Sequence, residues 1–344
     1  MSGMEPRRFF EKAEKKRAAS DFKGAAALYR RALGMASGEA RLELDCRIAL
    51  GDVYRLTGDF ALSQEYYRRA AKSALSLKDA SSERDALVGL GLALRASGGH
   101  KEAIRLFKKC LSGYKKDKDT EGIAFTLWAL SGALRVKGDL EGALNGFKKA
   151  MGIFKRLGDK SAEGYCLTGL GGASRVADRY ALSHKYYTEA NRVFRSLNDT
   201  FGLAYSYCGL ANARRMKGDY TGSLKFFAKA RENYKKIGDK VSYGYTLWAE
   251  GASFQMLGSD KRALCDFKEA LRLFKQTGDK RGVIYCLISN SQLAYKNDRD
   301  TALKMLKEAL KMAGAYGYKI EEGYAKRVLS AFYKNSEMIP FNLA

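Results

Sequence analysis

From Ala124 to Asp159 the chain reads AFTLWALSGALRVKGDLEGALNGFKKAMGIFKRLGD. Leu127, Leu130, Ser131 and Leu134 fall at i, i+3, i+4 and i+7, the spacing of one buried face of a helix. Gly138 and Asp139 end that helix. A second helix carries Ala143, Phe147 and Ala150 on its inner face, until Leu157, Gly158 and Asp159 close it with a C-terminal glycine cap. The pattern predicts a helical hairpin whose small residues let the two helices approach closely.

The same punctuation recurs every 40 residues, at Gly98, Gly138, Gly218 and Gly258, with Asp178 at the remaining step. A period of that size marks a stack of identical units, each burying its apolar face against the next. Eight hairpins follow, over approximately residues 5–37, 43–78, 83–118, 123–158, 163–198, 203–238, 243–278 and 283–315. A helix over 320–334 has no partner after it and reads as a cap, with a tail over 335–344. The only prolines, Pro6 and Pro340, flank the array, so no linker interrupts it and residues 1–344 read as one domain.

A small residue in the first helix, Gly-Asp at the turn, then Ala, aromatic and Ala at spacings of four and three together resemble a tetratricopeptide repeat. The matching positions include Gly51, Gly58, Asp59 and Ala70; Gly91, Gly98, Ala103 and Phe107; Gly171, Tyr187 and Ala190; Gly218, Asp219, Phe227 and Ala230; and Gly251, Gly258, Ala263, Phe267 and Ala270. The long repeat, linked by Gly158-Asp159-Lys160, Gly238-Asp239-Lys240 and Gly278-Asp279-Lys280, is similar to those of spindle-orientation adaptors and bacterial signalling proteins. The resemblance covers nearly the whole chain. It implies an all-α solenoid, a right-handed superhelix in which the first helix of each hairpin lines a concave, ligand-binding face.

Composition adds a partner class. The formal net charge is +24, which favours acidic proteins, nucleic acid or anionic surfaces. No secretory signal or membrane span is expected. The six cysteines show no CxxC spacing and mostly replace small residues of the repeat, which points to free thiols and a reducing, cytoplasmic setting.

On the concave face two columns stand out. One runs Arg17, Arg55, Arg95, Arg135, Arg175 and Arg215, then Gln255 and Tyr295. The other runs Arg7, Asp45 and Asp85, then Phe125, Tyr165, Tyr205, Tyr245 and Tyr285, with Tyr324 beyond. Between them lie Trp128, Trp248, Thr168, Cys208, Asn212 and Gln292. Two readings of each column stand. The arginines either contact a ligand or serve the helix C-terminus, through its dipole and the turn aspartate four residues on, as Arg55 with Asp59, Arg135 with Asp139 and Arg215 with Asp219. The tyrosines either form a recognition strip or pack across adjacent first helices.

First helices in such a stack lie about 10 Å apart, and an extended peptide rises about 3.3 Å per residue. An acidic side chain at every third residue would therefore meet successive arginines. This favours a non-enzymatic scaffold or adaptor holding an extended acidic segment of another protein. The alternative is single-stranded nucleic acid, which basic grooves with interleaved aromatics also hold. The lysine pairs Lys108-Lys109, Lys148-Lys149 and Lys235-Lys236 sit on second helices and links, away from that face. A carboxylate clamp of the Lys and Asn kind is disfavoured, because its positions hold Trp, Thr or Cys followed by Gly or Ala in the middle units.

Catalysis, metal and cofactor binding are not expected. His100 and His184 stand more than two repeats apart without partners at ligand spacing. Gly169-Leu170-Gly171-Gly172 lies within a helix and recurs as Gly89-Leu90-Gly91, so these glycines read as packing residues rather than a phosphate loop. The apolar Met338-Ile339-Pro340-Phe341 offers a route to homo-association through the C-terminal end.

Overall fold

The computed structural model describes residues 4–334 and 342–343. Among them are seventeen helices and no strand. They pair into hairpins: α1 (Met4–Ala18) with α2 (Phe22–Met35), α3 (Ala40–Thr57) with α4 (Phe60–Ser76), α5 (Ala80–Ala96) with α6 (His100–Lys116), and α7 (Thr120–Lys137) with α8 (Leu140–Leu157). The series continues with α9 (Lys160–Val176) and α10 (Tyr180–Ser196), α11 (Thr200–Met216) and α12 (Tyr220–Ile237), α13 (Lys240–Met256) and α14 (Asp260–Thr277), and α15 (Lys280–Ala294) and α16 (Arg299–Tyr316). The last helix, α17 (Lys319–Tyr333), packs on both α15 and α16. The fold is thus all-α, of the solenoid type, with eight hairpins and a terminal helix. The Met338-Ile339-Pro340-Phe341 segment lies outside the described residues.

The contacts divide into two compact units, Met1–Leu130 with Lys236–Asp239, and Ser131–Lys235 with Lys240–Ala344. In each, the second-helix aromatic of a hairpin is seated on first-helix glycines. Tyr67 fits between Gly51 and Gly89 in the first unit, and Tyr187 between Gly171 and Gly209 in the second. A β-carbon at Gly209 would fall 2.0 Å from the Tyr187 ring, so close approach, not backbone freedom, requires glycine there. The fully buried alanines Ala70, Ala150, Ala190, Ala230 and Ala270 line the helix contacts, with Cys110 in the same column.

Each helix end follows from its chemistry. The turn residues Gly58, Gly98, Gly138, Gly218 and Gly258 all have positive φ, and Asp178 adopts the same left-handed conformation at φ 59°. The aspartate after the turn caps the second helix: Asp59, Asp139 and Asp219 accept from the backbone N–H of Leu62, Gly142 and Gly222. Link aspartates cap first helices likewise, as Asp79, Asp159, Asp199 and Asp279 do. At the hairpin-to-hairpin links the left-handed position is Gly158, Gly238 or Gly278 in some repeats and Asn198 in another, but Lys78 after α4 and Lys118, at φ 56°, after α6. A side chain there costs about 1–2 kcal/mol, part of which glycine returns as unfolded-state entropy. We expect Lys118→Gly to stabilise the protein by about 0.5 kcal/mol; a urea midpoint that stays put or falls would contradict this account of the link.

Candidate functional site

In the first unit two members of the arginine column, Arg17 and Arg55, are paired with carboxylates. Arg17 binds Glu14 at 2.7 Å and faces Asp52 at 3.8 Å, while Arg55 donates to Asp52 at 3.2 Å. Asp52 also accepts from the Tyr67 hydroxyl at 2.7 Å. The carboxylate sits three residues before the arginine, so helix geometry alone brings the two together. The i,i+4 pairing of Arg55 with Asp59 does not form, because Asp59 is engaged as an N-cap. Phe125 and Trp128 lie in this unit too, their rings stacked at 5.6 Å, with Phe125 exposed. Arg95 is half-buried on α5.

The second unit differs. No ion pair of Arg135, Arg175 or Arg215 occurs among its described residues, and Asp139 and Asp219 again cap helices. Asp219 instead binds Arg214, at 2.7 Å. Three residues before these arginines the chain has Gly132, Gly172 and Asn212 where the first unit has Asp52. Arg135, Arg175 and the Tyr187 phenol converge: burial pushes the phenol up against the pull of both arginines. A methyl group at Gly172 would stand 3.3 Å from the Tyr187 hydroxyl and 3.8 Å from Arg135 Nη1. Burial, with Arg281 and Arg175 nearby, lowers the Arg135 pKa, and burial together with Arg175 pushes that of Arg215 down to about 9. Like charges crowd here, and among the described residues the ion pair in the group is that of Arg281 with Glu321.

Arg215 is completely buried and central to the cluster. It donates to Asn212 Oδ1 at 3.0 Å and to the Leu343 carbonyl at 2.8 Å, and also to Asn342 Oδ1. Its guanidinium lies 5.5 Å from the Trp248 ring, close enough for a cation–π contact. Trp248 packs on Tyr285 at 4.5 Å and donates through Nε1 to Ser289 at 2.9 Å. Asn212, Trp248, Tyr285 and Gln292 are all buried. Beneath them Arg281 binds the buried Glu321 of α17 at 2.6 Å and covers Tyr285 at 5.3 Å.

The tyrosine column is largely inter-repeat packing. Tyr165 tilts against Phe194 at 4.9 Å and donates to Asp199 at 2.9 Å, the capping aspartate of the next hairpin. Tyr245 repeats this with Phe274 at 4.6 Å and Asp279 at 3.2 Å. Tyr205 is the more open member, packed edge-on to Tyr234 and accepting from Ser242. Sequence reasoning gave Tyr187 a place in the repeat signature but no site role, and passed over Arg281, Glu321, Asn342 and Leu343. Tyr187 belongs to the aromatic column of the second helices, and Asn342 and Leu343 carry no repeat signal at all.

Residues 44–116 and 202–276 match the family model described as tetratricopeptide repeat. No curated protein sequence matches the chain. Solved structures that share its fold include three bound to a factor or peptide. A Rap protein in complex with competence and sporulation factor has a TM-score of 0.66 at 11% identity, over 96% of this chain and 98% of that one. The Rap conjugation gene regulator of plasmid pLS20, in complex with the Phr* peptide, gives 0.67 at 15%, over 82% and 77%. NprR bound to its cognate peptide NprX gives 0.61 at 14%, over 86% and 85%. No helix among the described residues is long and apolar enough to cross a membrane.

Proposed function

We propose that this chain, in which residues 44–116 and 202–276 match tetratricopeptide repeats, is a non-enzymatic peptide-binding scaffold, whose second unit holds an extended segment of another protein with acidic groups over Arg135 and Arg175. The observation that carries this reading is the contrast between columns. Arg55 has its own carboxylate, whereas Arg135 and Arg175 of the second unit have no ion pair among the described residues. A buried cation without a counter-ion is unfavourable, and a ligand carboxylate relieves it through charge-assisted hydrogen bonds. The three structural relatives are described as holding a factor or peptide, which agrees with a peptide rather than a small-molecule site.

The test uses a labelled peptide with glutamate at every third residue, and an oligothymidylate of matched charge. Replacing Arg135 and Arg175 together by Ala should weaken the peptide about 100-fold, at roughly 1.4 kcal/mol for each lost charge-assisted bond. Replacing the exposed Lys148 and Lys149 should change it less than about twofold, as solvated surface charges do. Equal affinity of the double arginine variant would sink the proposal. Tighter binding of the oligonucleotide, with dependence on the lysines, would move the ligand to nucleic acid.

A further inference from the structure

Asn342 and Leu343 are held in the second unit by a set of contacts that are specific in direction. Arg215 donates to the Asn342 side-chain oxygen, and the Asn342 amide donates back to the Arg215 carbonyl at 3.0 Å. A second guanidinium nitrogen of Arg215 binds the Leu343 main-chain carbonyl at 2.8 Å. The Leu343 side chain is buried in the apolar cluster that contains Val136, Ala211, Trp248 and Ala252. Asn212 holds Arg215 in place from the other side, its own amide donating to the Cys208 carbonyl at 3.0 Å.

We propose that this is a peptide subsite selective for asparagine followed by an aliphatic residue, and that Asn342-Leu343 is its resident occupant, which a peptide of the same chemistry from another molecule must displace. The selectivity lies in the paired donor and acceptor. Aspartate would satisfy the guanidinium but would set a carboxylate oxygen against the Arg215 carbonyl, and alanine would satisfy neither. The main-chain contact asks only for an extended backbone, and the apolar cluster asks for a branched aliphatic side chain. Because the occupant is tethered, its effective concentration is of the order of millimolar, so an incoming peptide sees only the small open fraction. The inference rests on the reading of this face as a peptide site, and it gives Arg215 a neutral partner while leaving Arg135 and Arg175 for acidic ones.

The experiment measures binding of a fluorescein-labelled peptide of residues 336–344, SEMIPFNLA, to the full chain by anisotropy. The chain carrying Asn342→Ala and Leu343→Glu together should bind it at least tenfold more tightly than the wild type. Adding Arg215→Ala to that variant should abolish the gain, and a probe with aspartate in place of Asn342 should bind at least tenfold more weakly. The single variant Asn342→Ala, which removes only one amide, should give a smaller gain in the same direction. Equal binding to wild type and to the double and single tail variants, or binding to none of them, overturns the proposal, and so does a probe that prefers aspartate. The glutamate peptide is titrated on the same samples. Its failure alongside tail-peptide binding would count against the acidic reading of Arg135 and Arg175 only, whereas the reverse result would count against this subsite only.

Discussion

Gly209→Ala is expected to destabilise the second unit by about 3 kcal/mol, while Gly152→Ala, the same substitution in another helix interior, is expected to stabilise it by about 1 kcal/mol. Both gain the helix propensity of alanine over glycine. They part company in what the new methyl group meets. At Gly152 there is nothing within 4 Å. At Gly209 the β-carbon would lie 2.0 Å from one edge of the Tyr187 ring, and Gly171 already seats the opposite edge, where a β-carbon would be 2.8 Å away. The ring cannot retreat, because both neighbours are first-helix backbones. Either the hairpins α9/α10 and α11/α12 separate or Tyr187 leaves its site, and each route forfeits buried area worth about 1.5–3 kcal/mol per large side chain. Urea unfolding followed by helicity checks the pair of variants. A cycle with Tyr187→Ala adds a sharper demand, since the two changes share one contact and should be strongly non-additive. Additive losses would mean that the glycine serves something other than the ring.

That contrast also shows how far the sequence could be read. The period of 40 residues, the turn glycines and the alanine columns specify the hairpins without ambiguity, because every level of the pattern agrees. Asp178 in the glycine column was readable as a left-handed position for the same reason. The arginine column was legible as a column, but its meaning lay three residues earlier. Glu14 and Asp52 precede Arg17 and Arg55, whereas Leu92, Gly132, Gly172 and Asn212 precede Arg95, Arg135, Arg175 and Arg215, a difference visible in the sequence. The tyrosines had a comparable signal: Tyr165 and Tyr245 each reach an aspartate 34 residues ahead, and a recurring long offset marks packing between repeats rather than a free strip. No such signal exists for Asn342. It meets Arg215 across 127 residues outside any repeat, so neither periodicity nor propensity could pair them.

The electrostatics of the cluster make a second large effect. Glu321 is fully buried on α17 and pairs with Arg281 at 2.6 Å. Burial works against the Arg281 charge, yet the facing carboxylate, with Tyr285 and Tyr245, holds its pKa well above the ordinary arginine value. Glu321→Ala removes that carboxylate and strands a guanidinium whose charge already bears on Arg135. Breaking one side of a buried pair costs about 3–5 kcal/mol, and we expect a loss in that range, read as an earlier urea transition in which α17 comes away from α15. Replacing both partners, Arg281→Met with Glu321→Leu, should restore most of the stability, because no charge is then left buried alone. A double variant as unstable as Glu321→Ala would assign the loss to packing instead. If the loss is electrostatic, Glu321→Ala should also tighten the glutamate peptide under folded conditions, since the ligand carboxylate then answers one more cation.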